Sequence, residues 1–278
     1  MPETQAHTLS GVAETLLITL YLRAMESQRL DALIKDEKAV ALVKQMSDDG
    51  RYDFSKIRLL HLSEANKLVI ILRNQEFDRY ALDFLRRRPE AVVVHLGCGL
   101  DSRFERVDNG LVEWYDLDLP HVMALRRELL DGDRARNHLL GCSVLEVAWL
   151  EVVSVHRQRP FLFLAEGVFM YLKEAQVKSL VLMLLDHFPG AELVFDTYSP
   201  IHVLVSNLQT ARFGFHTHWG IWRGQKLESW GAGIRLLDEW GYFDDPTPRL
   251  DKIRWMSPFE SIFKTLRIYH FQLGRETG

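Results

Sequence analysis

"VVVHLGCGLDSRFER", residues 92–106, runs an apolar stretch directly into two glycines and an aspartate. An apolar run without alternation predicts a β-strand that other elements cover on both faces. Gly97 and Gly99 then leave little side-chain bulk at the carboxyl end of the strand, where open α/β sheets bind their ligands. The stretch therefore predicts either a turn that holds a ligand or a tight corner without one.

Further candidate strands, rich in β-branched and aromatic residues, alternate with longer helical segments. The strands lie at 91–97, 111–118, 161–167 and 191–199, with a weaker one at 138–144. Helices are predicted at 119–130 and 173–188, and this alternation indicates an α/β fold with a doubly wound parallel sheet. Near the end of the chain, 233–243 is interpreted as a helix closed by Gly241, and 263–274 as a final strand.

Residues 1–88 are predicted to form a helical N-terminal cap, because apolar side chains such as Leu68 and Leu72 recur at helical spacing. Residues 89–278 are predicted to form a Rossmann-like core, with a substrate-region insertion at about 200–235. A chain of 278 residues without a low-complexity linker can form one elaborated α/β domain. We therefore expect the cap and the core to belong to the same domain.

The composition is that of a soluble globular protein, with 47% hydrophobic residues, 26% charged residues and a net charge of −4. This balance disfavours a nucleic-acid partner. The N-terminal segment carries acids where a secretory signal has basic residues, and no apolar run approaches the roughly 18 residues of a membrane span. We therefore expect a cytoplasmic protein that does not engage a membrane.

Neither the cysteines nor the histidines predict a metal site. The two cysteines, Cys98 and Cys142, are too few for a disulfide framework and lack metal-ligand spacing, so we expect both to be reduced. His216 and His218 have the spacing of a metal pair, but two histidines without a third ligand are a weak argument for zinc. No metal cofactor is predicted.

An acidic pair, Asp116 and Asp118, follows the glycine turn by about 20 residues. A carboxylate at the end of the second strand can accept hydrogen bonds from the ribose hydroxyls of an adenosine cofactor. A dinucleotide would also need a third glycine, but that position holds Ser102, and the neighbouring Asp101 would repel a pyrophosphate. These features favour S-adenosylmethionine, which carries no phosphate, over NAD.

Six segments carry a resemblance to a known family, and they cover most of residues 10–200. They are "SGVAETLLITLYLRAMES", "YDFSKI", "VVVHLGCGLDSRFER", "WYDLDLPHVMALRREL", "CSVLEVAWL" and "FLAEGVFMYL". In this order they resemble the leucine carboxyl methyltransferase family, and within it the branch of the tetracenomycin polyketide synthesis O-methyltransferase. The resemblance implies a class I methyltransferase fold, with a mostly parallel seven-stranded sheet whose last strand is antiparallel, and S-adenosylmethionine as the methyl donor.

The resemblance also implies which residues hold the cofactor. It assigns Gly97 to the methionine part and Asp118 to the ribose, and Gly99 belongs to the same glycine turn. Arg73 matches a family arginine that pairs with the cofactor carboxylate, and Glu166 matches an acid beside its amino group. A lone carboxylate such as Glu166 within "FLFLAEGVFMYL" is costly to bury unless it has a partner.

Ser143 and Val144 fall where the family flanks the adenine. Ser143 stands where the protein-carboxyl branch of the family has an aspartate, which would weaken adenine recognition or leave it to backbone groups. Tyr171, Tyr198 and His202 follow the fourth and fifth strands and are candidates for the substrate pocket. The catalytic residues, if any are needed, are left open.

The leading hypothesis is an S-adenosylmethionine-dependent O-methyltransferase acting on a carboxyl or hydroxyl group of a small molecule such as a polyketide-type metabolite. A carboxylate is already ionised at neutral pH, whereas a hydroxyl acceptor would need a general base. Because no His/Asp pair lies at short spacing beside residues 165–172, a small-molecule carboxylate is favoured. The alternatives are a protein C-terminal carboxyl methyltransferase and, from other classes, an NAD-dependent oxidoreductase or a non-catalytic cofactor-binding module.

Overall fold

The computed structural model describes residues 12–50, 52–55, 57, 62–130, 132, 134–210 and 216–275. Parts of the predicted cap and of the predicted 200–235 insertion lie outside the described residues. The α-helices are α1 (Val12–Ser27), α2 (Glu37–Asp48), α3 (Glu64–Arg87), α4 (Arg103–Val107), α5 (Pro120–Leu129), α6 (Ala148–Val153), α7 (Glu174–His187), α8 (Pro200–Thr210) and α9 (Ser257–Phe263). The β-strands are β1 (Val92–Leu96), β2 (Glu113–Asp118), β3 (Asn137–Gly141), β4 (Phe161–Ala165), β5 (Ala191–Thr197), β6 (Ile234–Trp240) and β7 (Arg267–Leu273).

The strands form one seven-stranded sheet in the order β3-β2-β1-β4-β5-β7-β6. Strands β1 to β5 are parallel, whereas β7 runs antiparallel to both β5 and β6. Chain order reverses at β1, because β2 and β3 lie on one side of it and β4 and β5 on the other. Open α/β sheets bind ligands beyond the carboxyl ends of their strands at such a reversal. The predicted sheet, mostly parallel with an antiparallel last strand, is confirmed.

The central strands send alternate side chains into two cores on opposite faces of the sheet. In β4, Phe161, Phe163 and Ala165 enter the core that includes residues of α6 and α7. Leu162 and Leu164 enter the core that includes residues of α3 and α4. Both faces of the strand are therefore covered, which explains why its sequence is apolar throughout.

Helix α1 packs with α2 in a further core that reaches Leu100 and Leu129, next to the glycine turn. A hydrogen bond of 2.8 Å from Arg23 of α1 to the Leu100 carbonyl ties the helix to this turn. Asp36 caps the start of α2 by accepting a hydrogen bond from the Ala39 N–H, which satisfies one of the unpaired donors of the first turn. These contacts hold α1 against the carboxyl end of the sheet.

The predicted helix at 233–243 is wrong. Residues Ile234–Trp240 form β6, an edge strand paired with β7, and Gly241 follows the strand. A β-bulge between Leu236 and Asp238 adds Leu237 as an extra residue on this strand, and a bulge of this kind breaks the period-two alternation of a strand. The bulge places two leucines, Leu236 and Leu237, next to each other in the sequence, so apolar and polar residues no longer alternate. The apolar residues of the segment therefore have a spacing like that of a helix.

Within the part of the chain that the structure describes, no helix combines the length and the apolar character needed to cross a membrane.

Candidate active site

A cavity of about 490 Å³ lies at the carboxyl end of the sheet and reaches β1, β2 and β4. Its volume is in the range of sites for small molecules and cofactors. The predicted cofactor residues all line it, namely Arg73, Gly97, Gly99, Asp118, Ser143, Val144 and Glu166. The substrate-pocket candidates Tyr171 and Tyr198 line it as well, whereas His202 does not, although its ring lies 4.7 Å from the ring of Tyr198.

The glycine turn has a backbone that only glycine adopts without strain. Gly97 and Gly99 have φ values of 69° and 52°, in the left-handed region. A Cβ atom on Gly97 would lie 2.4 Å from Val168 Cγ2, and one on Gly99 would lie 2.6 Å from Leu16 Cδ2. The turn is therefore closed to side chains on both sides, and it leaves a bare backbone at the cavity wall.

Asp118 is held at the cavity by backbone hydrogen bonds. One carboxylate oxygen accepts the Gly99 N–H at 2.8 Å and the other accepts the Leu119 N–H at 2.7 Å. Burial raises the pKa of Asp118, and these two hydrogen bonds oppose that rise. Each carboxylate oxygen has two acceptor positions, so Asp118 can still accept hydrogen bonds from a ligand.

Asp116 has a different environment from Asp118 and is not part of the cavity lining. It is 1% exposed, and its carboxylate accepts hydrogen bonds from Arg126 at 2.6 Å and from the Trp114 indole at 2.9 Å. Arg126 also donates to the carbonyl oxygens of Gly99 and Asp101. Asp116 therefore braces the glycine turn through Arg126.

Glu166 has the partners that its burial requires. Arg73 Nε lies 3.0 Å and Arg103 Nη2 lies 2.6 Å from its carboxylate oxygens. Asn74 also donates to the same carboxylate at 3.2 Å. Although burial opposes it, the positive charges of Arg73 and Arg103 lower the pKa of Glu166. The carboxylate is therefore ionised at neutral pH.

Arg73 bridges two acids, of which sequence reasoning found only Glu166. Its Nη1 atom lies 3.2 Å from Asp196 at the end of β5, a carboxylate that is 0% exposed. Asp196 also accepts the Gly167 N–H at 2.5 Å. Gly167 has a φ of 68°, in the left-handed region that favours glycine, and a Cβ atom there would make an ordinary contact of 3.6 Å with the Arg73 guanidinium. The only sequence signal for Asp196 was its place at the carboxyl end of a buried strand.

Arg103 was also not identified as a site residue from the sequence. Its side chain is fully buried. Its guanidinium lies 2.6 Å from Asp78, 3.1 Å from Asp101 and 2.6 Å from Glu166. Arg106 lies 3.1 Å from Asp101 as well. These arginines hold the pKa of Asp101 well below its usual range. Because they compensate its charge, the predicted repulsion between Asp101 and a pyrophosphate is a weaker argument against NAD than the sequence suggested.

Apolar side chains and several hydroxyl groups also line the cavity, among them the residues predicted for the substrate pocket. Tyr171 and Tyr198 line it, and burial raises the pKa of both phenols, so they remain protonated at neutral pH. Ser206 of α8 and Thr217 add two further hydroxyls. Burial lowers the pKa of His202, which lies behind Tyr198.

No group of three or more His, Cys, Asp or Glu side chains among the described residues has the geometry to hold a metal ion. His216 and His218, whose spacing suggested a metal pair, do not line the cavity. The backbone N–H of His218 donates to the Met170 carbonyl at 2.7 Å. Cys98 and Cys142 are free thiols, and burial raises the pKa of each.

Comparison with known proteins identifies relatives that cover most of the chain. The tetracenomycin polyketide synthesis O-methyltransferase TcmP of Streptomyces glaucescens is 35% identical over 245 residues, which are 86% of each chain. The S-adenosyl-L-methionine-dependent methyltransferase dpfgK of Gibberella zeae is 30% identical over 268 residues, 91% of this chain and 89% of the relative. The family model for leucine carboxyl methyltransferase matches residues 16–184.

Solved structures share the fold at low identity. A Thermobifida fusca protein provisionally assigned as a methyltransferase has a TM-score of 0.64 and 16% identity, with 98% of each chain covered. A DUF574 family protein of Streptomyces avermitilis has a TM-score of 0.61 and 12% identity, with 93% of this chain and 96% of that chain covered. At these identities the likeness shows the fold alone.

The fold and the relatives together define an S-adenosylmethionine-dependent methyltransferase. The chain belongs to the leucine carboxyl methyltransferase family. The predicted family, fold class and cofactor are thereby confirmed. The alternatives of an NAD-dependent oxidoreductase and of a non-catalytic module are not retained.

Proposed function

We propose that this methyltransferase transfers the methyl group to the carboxylate of a small molecule whose remaining body is apolar. Both substrates bind in the cavity described above. One observation carries the choice of a carboxylate. Among the described residues that line the cavity, each carboxylate is engaged with arginines or with backbone N–H groups, and the buried His95 ring lies 3.3 Å from Arg103 and 3.4 Å from Asp116. The proposed acceptor side, which includes Tyr171, Tyr198, Ser206 and Thr217, offers neutral hydroxyls. An acceptor that is already ionised needs no base from the protein.

The lining residues fit S-adenosylmethionine. The bare backbone at Gly97 and Gly99 leaves room for its methionine part, and Asp118 can accept hydrogen bonds from its ribose hydroxyls. We assign its amino acid end to Arg73 and Glu166, which supply one positive and one negative group at the same wall. When bound, the cofactor supplies a methyl group that is already activated by the sulfonium.

In this proposal, adenine binds in a less polar part of the cavity than the ribose and the amino acid end of the cofactor. Val144 is 9% exposed and lines the cavity beside Ser143. The Ser143 hydroxyl accepts the Leu145 N–H at 3.2 Å, and its own N–H donates to Glu146 at 3.1 Å. Because Ser143 has no carboxylate to offer the adenine amino group, we assign adenine recognition to apolar contact with Val144 and to backbone groups.

The reaction balances without a proton acceptor. A lone pair of the acceptor carboxylate forms the new O–CH₃ bond, and the electron pair of the broken C–S bond passes to sulfur, which becomes a neutral thioether. The protein contributes alignment of the two substrates and exclusion of water. Tyr171 and Tyr198, which stay protonated, can donate hydrogen bonds to the anionic acceptor.

The acceptor end of the cavity extends toward the region predicted to encode substrate choice. Tyr198, Ser206 and Thr217 lie at or near the predicted 200–235 insertion, and all three line the cavity. Apolar side chains from α1 and α3 border the same cavity, among them Ile18 and Ile70. This combination favours an acceptor with an apolar body and one ionised group.

The choice of acceptor group can be tested with a compound that carries both groups, such as 3-hydroxy-2-naphthoate. We expect methylation at the carboxylate, which gives an ester that mild alkali hydrolyses. At saturating donor the rate should change little between about pH 7 and pH 9, since the carboxylate is ionised throughout. An alkali-stable ether, formed at a rate that rises with pH, would contradict the proposal and direct mutagenesis to His202.

Matched single-group acceptors complete this experiment. 2-Naphthoate should be methylated and 2-naphthol should not. A protein C-terminal carboxyl methyltransferase would instead methylate the terminal carboxylate of a peptide, and it would leave both naphthalenes unmodified. Methylation of peptide carboxylates alone would therefore replace the small-molecule proposal.

Asp118→Ala tests the proposed ribose contact. Loss of hydrogen bonds to a charged acceptor costs about 1.5–3 kcal/mol, so the affinity for S-adenosylhomocysteine should fall roughly 10- to 150-fold by calorimetry. Asp108→Ala is the matched control, because Asp108 also accepts a backbone N–H, from Gly110 at 2.9 Å, but does not line the cavity. Equal affinity in the two variants would show that Asp118 does not bind the ribose.

A further inference from the structure

A cluster of ion pairs runs behind the cavity from α1 to β5. Every side chain in it is at most 13% exposed. Its members are Arg23, Arg73, Arg103, Arg106, Asp36, Asp78, Asp101, Glu166 and Asp196, and we call them the buried ion cluster. Ion pairs of 4.0 Å or less connect all of these side chains to one another without a break.

The charges of the buried ion cluster do not cancel. It has four guanidinium groups and five carboxylates, which leaves one excess negative charge when all are ionised. Asp196 ends the cluster, and Arg73 is its ion-pair partner there, at 3.2 Å. A buried charge without full compensation is costly. The excess therefore favours a cationic ligand in the adjoining cavity.

The methyl donor and the product differ by one positive charge. S-Adenosylmethionine carries an ammonium, a carboxylate and a sulfonium, whereas S-adenosylhomocysteine has lost the charge on sulfur. We infer that Asp196 makes the buried ion cluster selective for the cationic donor over its neutral product, an inference that rests on the proposed binding of the cofactor beside Arg73 and Glu166. Asp196 acts through the electrostatic field at the site and not by touching the reacting atoms.

The ionisation of Asp196 gives this selectivity a pH dependence. The groups that face Asp196 are Arg73 from α3, Glu166 and the Gly167 N–H after β4, and the phenols of Tyr171 and Tyr198. Burial raises the pKa of Asp196 to about 6, and the charge of Arg73 opposes the rise. Below this pH the carboxylate takes up a proton and the excess negative charge disappears. The preference for the donor should therefore weaken as pH falls through about 6.

Calorimetric titration with S-adenosylmethionine and S-adenosylhomocysteine tests the inference without measuring catalysis. In Asp196→Asn, the ratio of donor to product affinity should fall about fivefold or more relative to the wild type at pH 8. If Asp196 had a purely structural role, the substitution would weaken the binding of both ligands by the same factor and leave the ratio of donor to product affinity unchanged. That outcome would overturn the inference.

Glu192→Gln is the matched control variant. Glu192 lies on the same strand and is 5% exposed, and it is paired with Arg87 and His270. It stands four residues from Asp196, about 13 Å along the strand. Loss of this negative charge should leave the affinity ratio unchanged. An equal fall in both variants would attribute the effect to net charge and would overturn the role of Asp196.

The wild-type protein provides a second test that does not depend on the folding of a variant. The affinity ratio should fall between about pH 8 and pH 5.5, and donor binding near pH 6 should release a proton, seen as a dependence of the binding enthalpy on the buffer. A constant ratio and no proton release would overturn the inference. If neither ligand is affected by Gly97→Val, the proposed cofactor site itself fails, which is a separate result.

Discussion

Gly97→Val should abolish measurable binding of S-adenosylhomocysteine, with a loss of affinity of at least about 100-fold by calorimetry. A Cβ atom at this position would lie 2.4 Å from Val168 Cγ2, so the turn or Val168 must move. The φ of 69° is also unfavourable for a β-branched residue, by roughly 1–2 kcal/mol or more. Because the turn forms the wall where we propose that the methionine part binds, its displacement removes the site.

Gly110→Val separates the loss of the site from the strain in the backbone. Gly110 has a φ of 79°, and no heavy atom lies within 4 Å of the position that its Cβ would take. The variant therefore carries comparable strain without a steric contact, at a position outside the cavity lining. It should lose stability in thermal unfolding but keep its affinity for the cofactor. Retained binding in Gly97→Val would move the cofactor site away from this turn.

The sheet was predictable because its strands are buried on both faces. The apolar runs that contain Val92–Leu96 and Phe161–Ala165 have few polar residues to obscure them, and glycines mark where they end. The edge strand β6 was not predictable in the same way. Its bulge at Leu237 shifts the alternation of side chains, and bulges depend on pairing with a partner strand. Local sequence cannot supply that pairing.

The cavity lining was predictable from motifs, whereas its electrostatics were not. Gly97, Asp118 and Glu166 stand at the ends of recognisable strands, so topology brings them to one edge. The cationic partners of Glu166 are Arg73 and Arg103, which are 93 and 63 residues away in the sequence. Single-sequence patterns carry no information about pairs at such separations. The compensation of each buried charge therefore became visible only in three dimensions.

Arg103→Met should be the most destabilising single substitution that we predict. Its guanidinium is fully buried and contacts three carboxylates, those of Asp78, Asp101 and Glu166. Removal of one partner from a buried ion pair costs about 3–5 kcal/mol, because it leaves uncompensated charge. The melting temperature should therefore fall by roughly 6–20 °C at pH 8. Differential scanning calorimetry measures this loss.

The pH dependence of that loss distinguishes charge from packing. In the wild type, arginines lower the pKa values of Asp101 and Glu166, so these acids contribute stability above their unfolded pKa values and lose it as pH falls. In Arg103→Met the same carboxylates lack a cation, their pKa values rise, and they take up protons at higher pH. The difference in melting temperature between variant and wild type should therefore narrow from about pH 8 to pH 5.

Arg86→Met is the control variant, because it removes an exposed arginine that is paired with Asp83, and it should change stability by no more than about 1 kcal/mol. A loss in Arg103→Met that is the same at both pH values would assign the role of Arg103 to packing, because a cavity or a poor fit does not titrate.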